Sequence, residues 1–187
     1  AAGCAVGCVE SVVLISEEYS QLNARLHRDR PDYGAYGYLV APVVRELCSR
    51  FGYETVLDYG CGKGDLAAAL PALDVRNYDP AIEKWNLPPL YAEFVVCVDV
   101  LEHVEPDCIE DVVADLARLT LGRCFVSIAC KPAFKFLPDG RNTHLIVRPH
   151  DWWLALLGLY FQIERQVPEP GGLGVLMRPR VNGDAAA

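Results

Sequence analysis

The sequence predicts an α/β fold: a mostly parallel, doubly wound sheet with an antiparallel C-terminal hairpin. Three observations carry this. Short apolar runs alternate with helical segments from Thr55 onward, a glycine-rich turn joins the first run to the helix after it, and the last two runs are split by Pro168-Glu169-Pro170-Gly171-Gly172. At 187 residues the chain has the size of one domain, residues 1–187: a lead-in over 1–52, a core over 53–130, and a loop region with the closing hairpin over 131–187.

Each element has its own signal. Tyr19, Leu22 and Leu26 mark a first lead-in helix, and Leu39, Val43 and Leu47 a second that Gly52 ends. Between them, residues 30–37 hold one proline, two glycines and two tyrosines, so this stretch is either a plain linker or a cover over a pocket. Strands are expected over 55–58, 75–78, 94–98 and 124–129, a helix over 63–70 stopped by Pro71, and an amphipathic helix through Ile109, Val112, Val113, Leu116 and Leu119 closed by Gly122. A helix over 149–157 takes Pro149 in its first turn, and residues 161–167 and 173–177 form the final pair.

Composition excludes several classes. Apolar residues make up 52% and charged residues 22%, enough for a packed core and too little polarity for disorder. Seventeen basic against 25 acidic residues give −8, which argues against a nonspecific nucleic-acid groove binder but not against a local basic patch. Cys97, Cys124 and Cys130 sit in apolar runs and read as reduced core residues; no C-x-x-C pair supports structural zinc. No apolar run approaches the ~20 residues of a membrane span, so a cytoplasmic protein without membrane contact is expected.

The turn after the first strand reads Asp58-Tyr59-Gly60-Cys61-Gly62-Lys63-Gly64. Glycines belong where the chain turns sharply and where a ligand must approach the backbone. A P-loop needs a glycine four residues before its Gly-Lys pair, and a dinucleotide fingerprint needs G-x-G-x-x-G; neither fits. The second strand ends in Asp79, about 20 residues on, where a carboxylate can accept two ribose hydroxyls; the alternative is a plain Asp79-Pro80 turn.

The D-x-G-x-G-x-G run resembles motif I of the class I S-adenosylmethionine-dependent methyltransferases, and Asp79 falls at that family's ribose position. Residues 97–104, with Leu101-Glu102-His103, are similar to the LEH segment of many small methyltransferases. The resemblance implies a Rossmann-like fold whose 53–130 core binds S-adenosyl-L-methionine through Asp58, Gly60, Cys61, Gly62, Gly64, Asp79, Pro80, Asp99 and Val100. One departure is visible: only 20 positions separate Asp79 from Asp99, so the strand usual in that interval is abbreviated or missing, leaving Trp85 and Tyr91 as candidates to stack on the adenine.

Methyl transfer needs a base only when the acceptor must lose a proton. His27 reads as a surface residue of the lead-in helix. His103 follows the third strand, and His144 and His150 lie in a stretch leaving the sheet's carboxyl edge, which is either a substrate loop or a structural cap. His103 and His144 are the catalytic candidates. The spacing of Asp99, Glu102 and His103, with His144 as a distant fourth, also resembles the metal site of small-RNA 3′-end 2′-O-methyltransferases, although Asp99 stands where that family has Glu; such a set suits Mg²⁺, Mn²⁺ or Zn²⁺. The expected function is methylation of an oxygen or nitrogen of a small-molecule acceptor. The alternatives are metal-assisted methylation of an RNA 3′ end and a non-catalytic cofactor-binding partner subunit.

Overall fold

Strand β1 (Thr55–Tyr59) buries successive side chains in different places. Val56 packs into one apolar cluster and Leu57 into another, and both are fully buried. A strand points alternate residues to opposite faces, so β1 has a packed layer on each side. In β3 (Ala92–Val98) the four residues Phe94, Val95, Val96 and Cys97 alternate in the same way, which explains its unbroken apolar run. The computed structural model describes residues 13–169 and 171–180.

Six strands form one sheet in the order β2-β1-β3-β4-β6-β5, with β2 at Asp74–Tyr78, β4 at Thr120–Ala129, β5 at Phe161–Glu169 and β6 at Gly172–Pro179. Strands β2, β1, β3 and β4 pair in parallel, and β6 runs antiparallel to both β4 and β5. Helices α4 (Ile109–Leu119) and α5 (His150–Tyr160) cover one face; α2 (Ala41–Phe51) and α3 (Asp65–Ala69) cover the other. The doubly wound sheet and closing hairpin are therefore present as the sequence predicts. So is the abbreviation: residues 79–91 supply one 3₁₀ turn, Glu83–Trp85, and β2 is the sheet edge.

Helix α1 (Glu17–Asp29) stands apart from these layers and packs Tyr19 and Leu26 on Leu137. Its N-cap Ser16 accepts from the Tyr19 amide, while the Ser16 amide and hydroxyl donate to Glu105 just after β3. This ties α1 over the carboxyl ends of the parallel strands.

Several local readings shift. Helix α2 buries Ala41, Val44 and Cys48, while Leu39 and Val43 of the expected stripe are exposed, because a helix beginning at Ala41 turns the i, i+3, i+7 set from that residue inward. Gly122 does not close α4, which ends at Leu119. It lies within β4, where a Cβ would stand 2.6 Å from the Glu93 carbonyl oxygen and 2.5 Å from the Tyr53 hydroxyl, so close packing requires glycine there. Pro149 is the N-cap of α5, one position before the first turn. Cys97 and Cys124 are buried free thiols, as expected, and Cys130 is half-buried.

Candidate active site

The site grows from the ends of three parallel strands. The Tyr78 carbonyl, at the end of β2, accepts from the amides of Gly60 and Cys61 at 2.7 and 3.0 Å and bends the loop after β1 back across the sheet edge. Gly60, Gly62 and Gly64 have φ of +79, +53 and +78°, a backbone that L side chains resist. The space each glycine leaves is taken by the protein. A Cβ on Gly60 would meet Val100 at 2.4 Å, one on Gly62 the Gly34 carbonyl oxygen at 2.4 Å, and one on Gly64 the Asn77 amide at 3.0 Å. The sharp turn explains the glycines here, and close approach by the protein's own chain explains them further.

Asp79 fastens the same loop. Its Oδ2 accepts from the Gly62 amide at 3.1 Å and its Oδ1 from the Ala81 amide at 3.0 Å, so a buried carboxylate is held in one orientation while each oxygen keeps a further lone pair. Desolvation raises its pKa, opposed by these two hydrogen bonds. Asp58 is 6% exposed, and its Oδ2 has no hydrogen-bond partner among the described residues. Burial, with the charges of Asp79 and Asp65 adding, pushes its pKa up to about 7.

These residues open on a cavity of about 490 Å³. Asp58, Gly60, Cys61, Gly62, Asp79 and Pro80 line one part, Asp99 and Val100 line the end of β3, and His103 and His144 line the wall beneath residues 131–144. Gly64 and Glu102 are not among the lining residues, nor are Trp85 and Tyr91; Trp85 lies instead beside Gly64, and Tyr91 is exposed. The linker over 30–37 does cover a pocket: Tyr33, Gly34, Tyr36 and Gly37 line the cavity, and the Gly34 carbonyl accepts from the Lys63 amide at 2.9 Å. Its tyrosines were the signal. His27 lines the cavity rather than the outer surface, because the Lys63 ammonium donates to its carbonyl and draws α1 in. Desolvation, then the Lys63 charge, lowers the His27 pKa to about 4. His150 is exposed at the start of α5, away from the cavity lining.

The two candidate catalytic histidines stand edge to face with ring centroids 4.8 Å apart. His103 Nδ1 lies 2.7 Å from the Thr143 carbonyl, and His144 Nδ1 lies 2.6 Å from the Lys131 carbonyl. A carbonyl oxygen only accepts, so each Nδ1 carries a proton and Nε2 is the ring nitrogen left for other partners. Desolvation, with His144 next in importance, lowers the His103 pKa to about 3 and keeps that ring neutral. Tyr19 donates to the His103 carbonyl at 2.5 Å and fixes its backbone.

Glu102, His103 and His144 place one ligand-type atom each within 4.8 Å of one another, and Asp99 does not join them. Asp99 sits at φ +52°, its amide bonded to the Ser127 carbonyl, which directs it along the end of β3. Glu102 is fully buried and its Oε1 accepts from the Ala129 amide at 2.7 Å, so this carboxylate also knits β4 to the turn after β3. Three of the four expected donors meet; the four-donor set does not form.

No protein-family model matches the chain, and no curated protein matches it. Solved structures do. The 1,6-didemethyltoxoflavin-N1-methyltransferase of Burkholderia thailandensis, with 1,6-didemethyltoxoflavin and S-adenosylhomocysteine bound, aligns at TM-score 0.62 and 18% identity over 91% of this chain and 93% of its own. Magnesium protoporphyrin IX methyltransferase of Synechocystis PCC 6803, with S-adenosylhomocysteine bound, aligns at 0.54 and 20% over 76% and 81%. An O-methyltransferase family protein from Burkholderia thailandensis aligns at 0.58 and 15% over 89% and 63%. At these identities the likeness is one of fold: the chain has the Rossmann-like architecture of these methyltransferase structures.

Proposed function

We propose that this chain is an S-adenosylmethionine-dependent methyltransferase acting on an oxygen or nitrogen of a small-molecule acceptor. The observation that carries the reading is the unpartnered, buried Oδ2 of Asp58 in a cavity that also holds the Asp79 carboxylate. A buried carboxylate left without a partner is costly, and a cationic ligand removes that cost. Open α/β sheets bind ligands at this edge.

S-adenosylmethionine supplies a methyl group on a sulfonium, whose displacement depends on alignment more than on covalent help. Asp79 offers its remaining lone pairs to ribose hydroxyls, and Asp58 faces the positive end of the cofactor. Cys61, Pro80, Asp99 and Val100 complete the enclosure. His144 takes a proton from the acceptor at Nε2. His103, held near pKa 3, is too weak a base for that and accepts a hydrogen bond instead.

A second reading rests on the meeting of Glu102, His103 and His144, a set suited to a divalent ion; its acceptor is the RNA 3′-end ribose that the resemblance to the small-RNA methyltransferases implies. Among the described residues no helix is long and apolar enough to cross a membrane. Calorimetry with S-adenosylmethionine and S-adenosylhomocysteine, followed by transfer of a labelled methyl group to a panel of hydroxyl and amine compounds and to an RNA oligonucleotide with a free 3′ end, with and without Mg²⁺ or Mn²⁺, tests these readings. Binding with metal-independent transfer supports the first. Transfer only to RNA ends with metal supports the second, binding without transfer points to a partner subunit, and absence of binding overturns all three.

A further inference from the structure

The wall over residues 131–144 carries a ring and a charge that the proposed chemistry leaves unused. Phe134 lines the cavity yet is 98% exposed. The backbone around it is tied down, so this is not the exposure of a frayed loop. Asn142 clamps Ala133 from both sides, accepting from its amide at 3.0 Å and donating to its carbonyl at 2.9 Å, and the Thr143 amide donates to the Lys135 carbonyl. Phe134 is thus presented to solvent from a hydrogen-bonded platform at the mouth of the cavity.

The same segment also carries charge. In a chain of net charge −8, residues 131–148 hold Lys131, Lys135, Arg141 and Arg148 against the single acid Asp139. Three of these cations are engaged: Lys135 pairs with Asp32 at 2.8 Å, Arg141 with Asp139 at 2.7 Å, and Arg148 lies over the Trp152 ring. Lys131 lines the cavity and forms no ion pair among the described residues. Its carbonyl also accepts from His144 Nδ1, so the candidate base is held on the residue that carries this cation.

Resting on the methyltransferase reading above, we propose that the acceptor is an anionic, ring-bearing small molecule: its ring lies on Phe134 and its carboxylate or phosphate pairs with Lys131, which brings its nucleophilic atom to His144. An aromatic face holds the ring of such a molecule, and a cation holds its anion through charge-assisted hydrogen bonds. Lys131 adds a positive charge to a cavity that Asp58, Asp79 and Asp99 also line, and so favours an anionic group on the acceptor.

Phenyl phosphate is the probe, titrated by NMR into protein saturated with S-adenosylhomocysteine and compared with phenol, inorganic phosphate and benzoate. Phenyl phosphate or benzoate is expected to bind more tightly than phenol or phosphate alone, and the stronger of the two identifies the anion. Phe134→Ser weakens that probe roughly 10-fold. Lys131→Gln weakens it ~2–5-fold and flattens its salt dependence. Both side chains are exposed, so both variants fold. Equal binding of all four probes, or unchanged binding by both variants, overturns the proposal. Repeating the titrations without S-adenosylhomocysteine keeps the two readings apart: a protein that holds phenyl phosphate but not S-adenosylhomocysteine retains this site and loses the methyltransferase reading.

Discussion

Gly34 and Gly62 meet backbone to backbone: a Cβ added to Gly62 would stand 2.4 Å from the Gly34 carbonyl oxygen and 2.9 Å from its Cα. The loop after α1 is therefore seated on the glycine turn after β1, and neither can move far without the other. Gly62→Ala combines a left-handed backbone, worth ~1–2 kcal/mol against a residue with a side chain, with displacement of main chain that has no rotamer to escape into. Gly52 provides the control, since it has φ +71° and nothing within 4 Å of a built Cβ. Gly52→Ala is expected to lower Tm by ~2–4 °C, the shift of about 1 kcal/mol in a chain of this size, and to leave cofactor affinity intact. Gly62→Ala lowers Tm further and abolishes cofactor binding. Thermal unfolding and calorimetry read both; equal behaviour of the two variants removes the clasp from the site.

Asp79 has two duties that substitution separates. Asp79→Ala loses a charged acceptor facing the cavity and is expected to weaken S-adenosylmethionine binding by ~1.5–3 kcal/mol. Asp79→Asn has one acceptor oxygen where the native residue uses two, for the amides of Gly62 and Ala81. It therefore loosens the loop and falls between wild type and Asp79→Ala in affinity. Unaltered binding in both variants reduces Asp79-Pro80 to a turn.

Much of this was legible in the sequence because the signals were local. Residues 94–98 read as a strand because every one is apolar, and the count of positions between Asp79 and Asp99 showed that the usual strand there is abbreviated or missing. What escaped depended on contacts distant in sequence. Gly122 looked like a helix stop, but its reason is Glu93 and Tyr53 across the sheet. His27 looked like a surface residue because its approach to the cavity is fixed by Lys63, 36 positions away. Asp99 was grouped with Glu102 and His103 by spacing alone, and a left-handed residue at that position sends the carboxylate elsewhere. Phe134 gave no sequence signal, since only the fold shows that nothing covers it.

Asp58 makes both stability and binding depend on pH, in opposite directions. Its folded pKa is raised to about 7, so between about pH 4 and 7 the folded chain holds a proton that the unfolded chain has lost. The stabilisation tied to that proton is present at low pH and is lost as pH rises through about 7. A cationic ligand favours the carboxylate, so S-adenosylmethionine binding releases a proton near neutrality and tightens from pH 6 to 8. S-adenosylhomocysteine lacks the sulfonium charge and shows a shallower dependence. Calorimetry in buffers of different ionisation enthalpy measures the released proton. Asp58→Asn should abolish it, and a wild-type protein that releases none loses this role for Asp58.

His103 and His144 differ in what their environments allow, although both hold a protonated Nδ1 against a carbonyl. A general base contributes roughly 10²–10⁴-fold to rate, and His144→Ala is expected to lower kcat within that range while cofactor affinity stays as it was. His103, with its pKa drawn down to about 3, stays neutral in the folded chain but takes a proton near pH 6.5 once unfolded. Its contribution to stability is therefore complete above about pH 6.5 and is lost as pH falls toward 3. His103→Gln keeps a donor for the Thr143 carbonyl and removes the titration, so acid unfolding of that variant shifts to lower pH with a smaller loss of kcat than in His144→Ala. Acid titration followed by circular dichroism, beside single-turnover methyl transfer, separates the two residues. A larger rate loss in His103→Gln than in His144→Ala would transfer the role of base to His103.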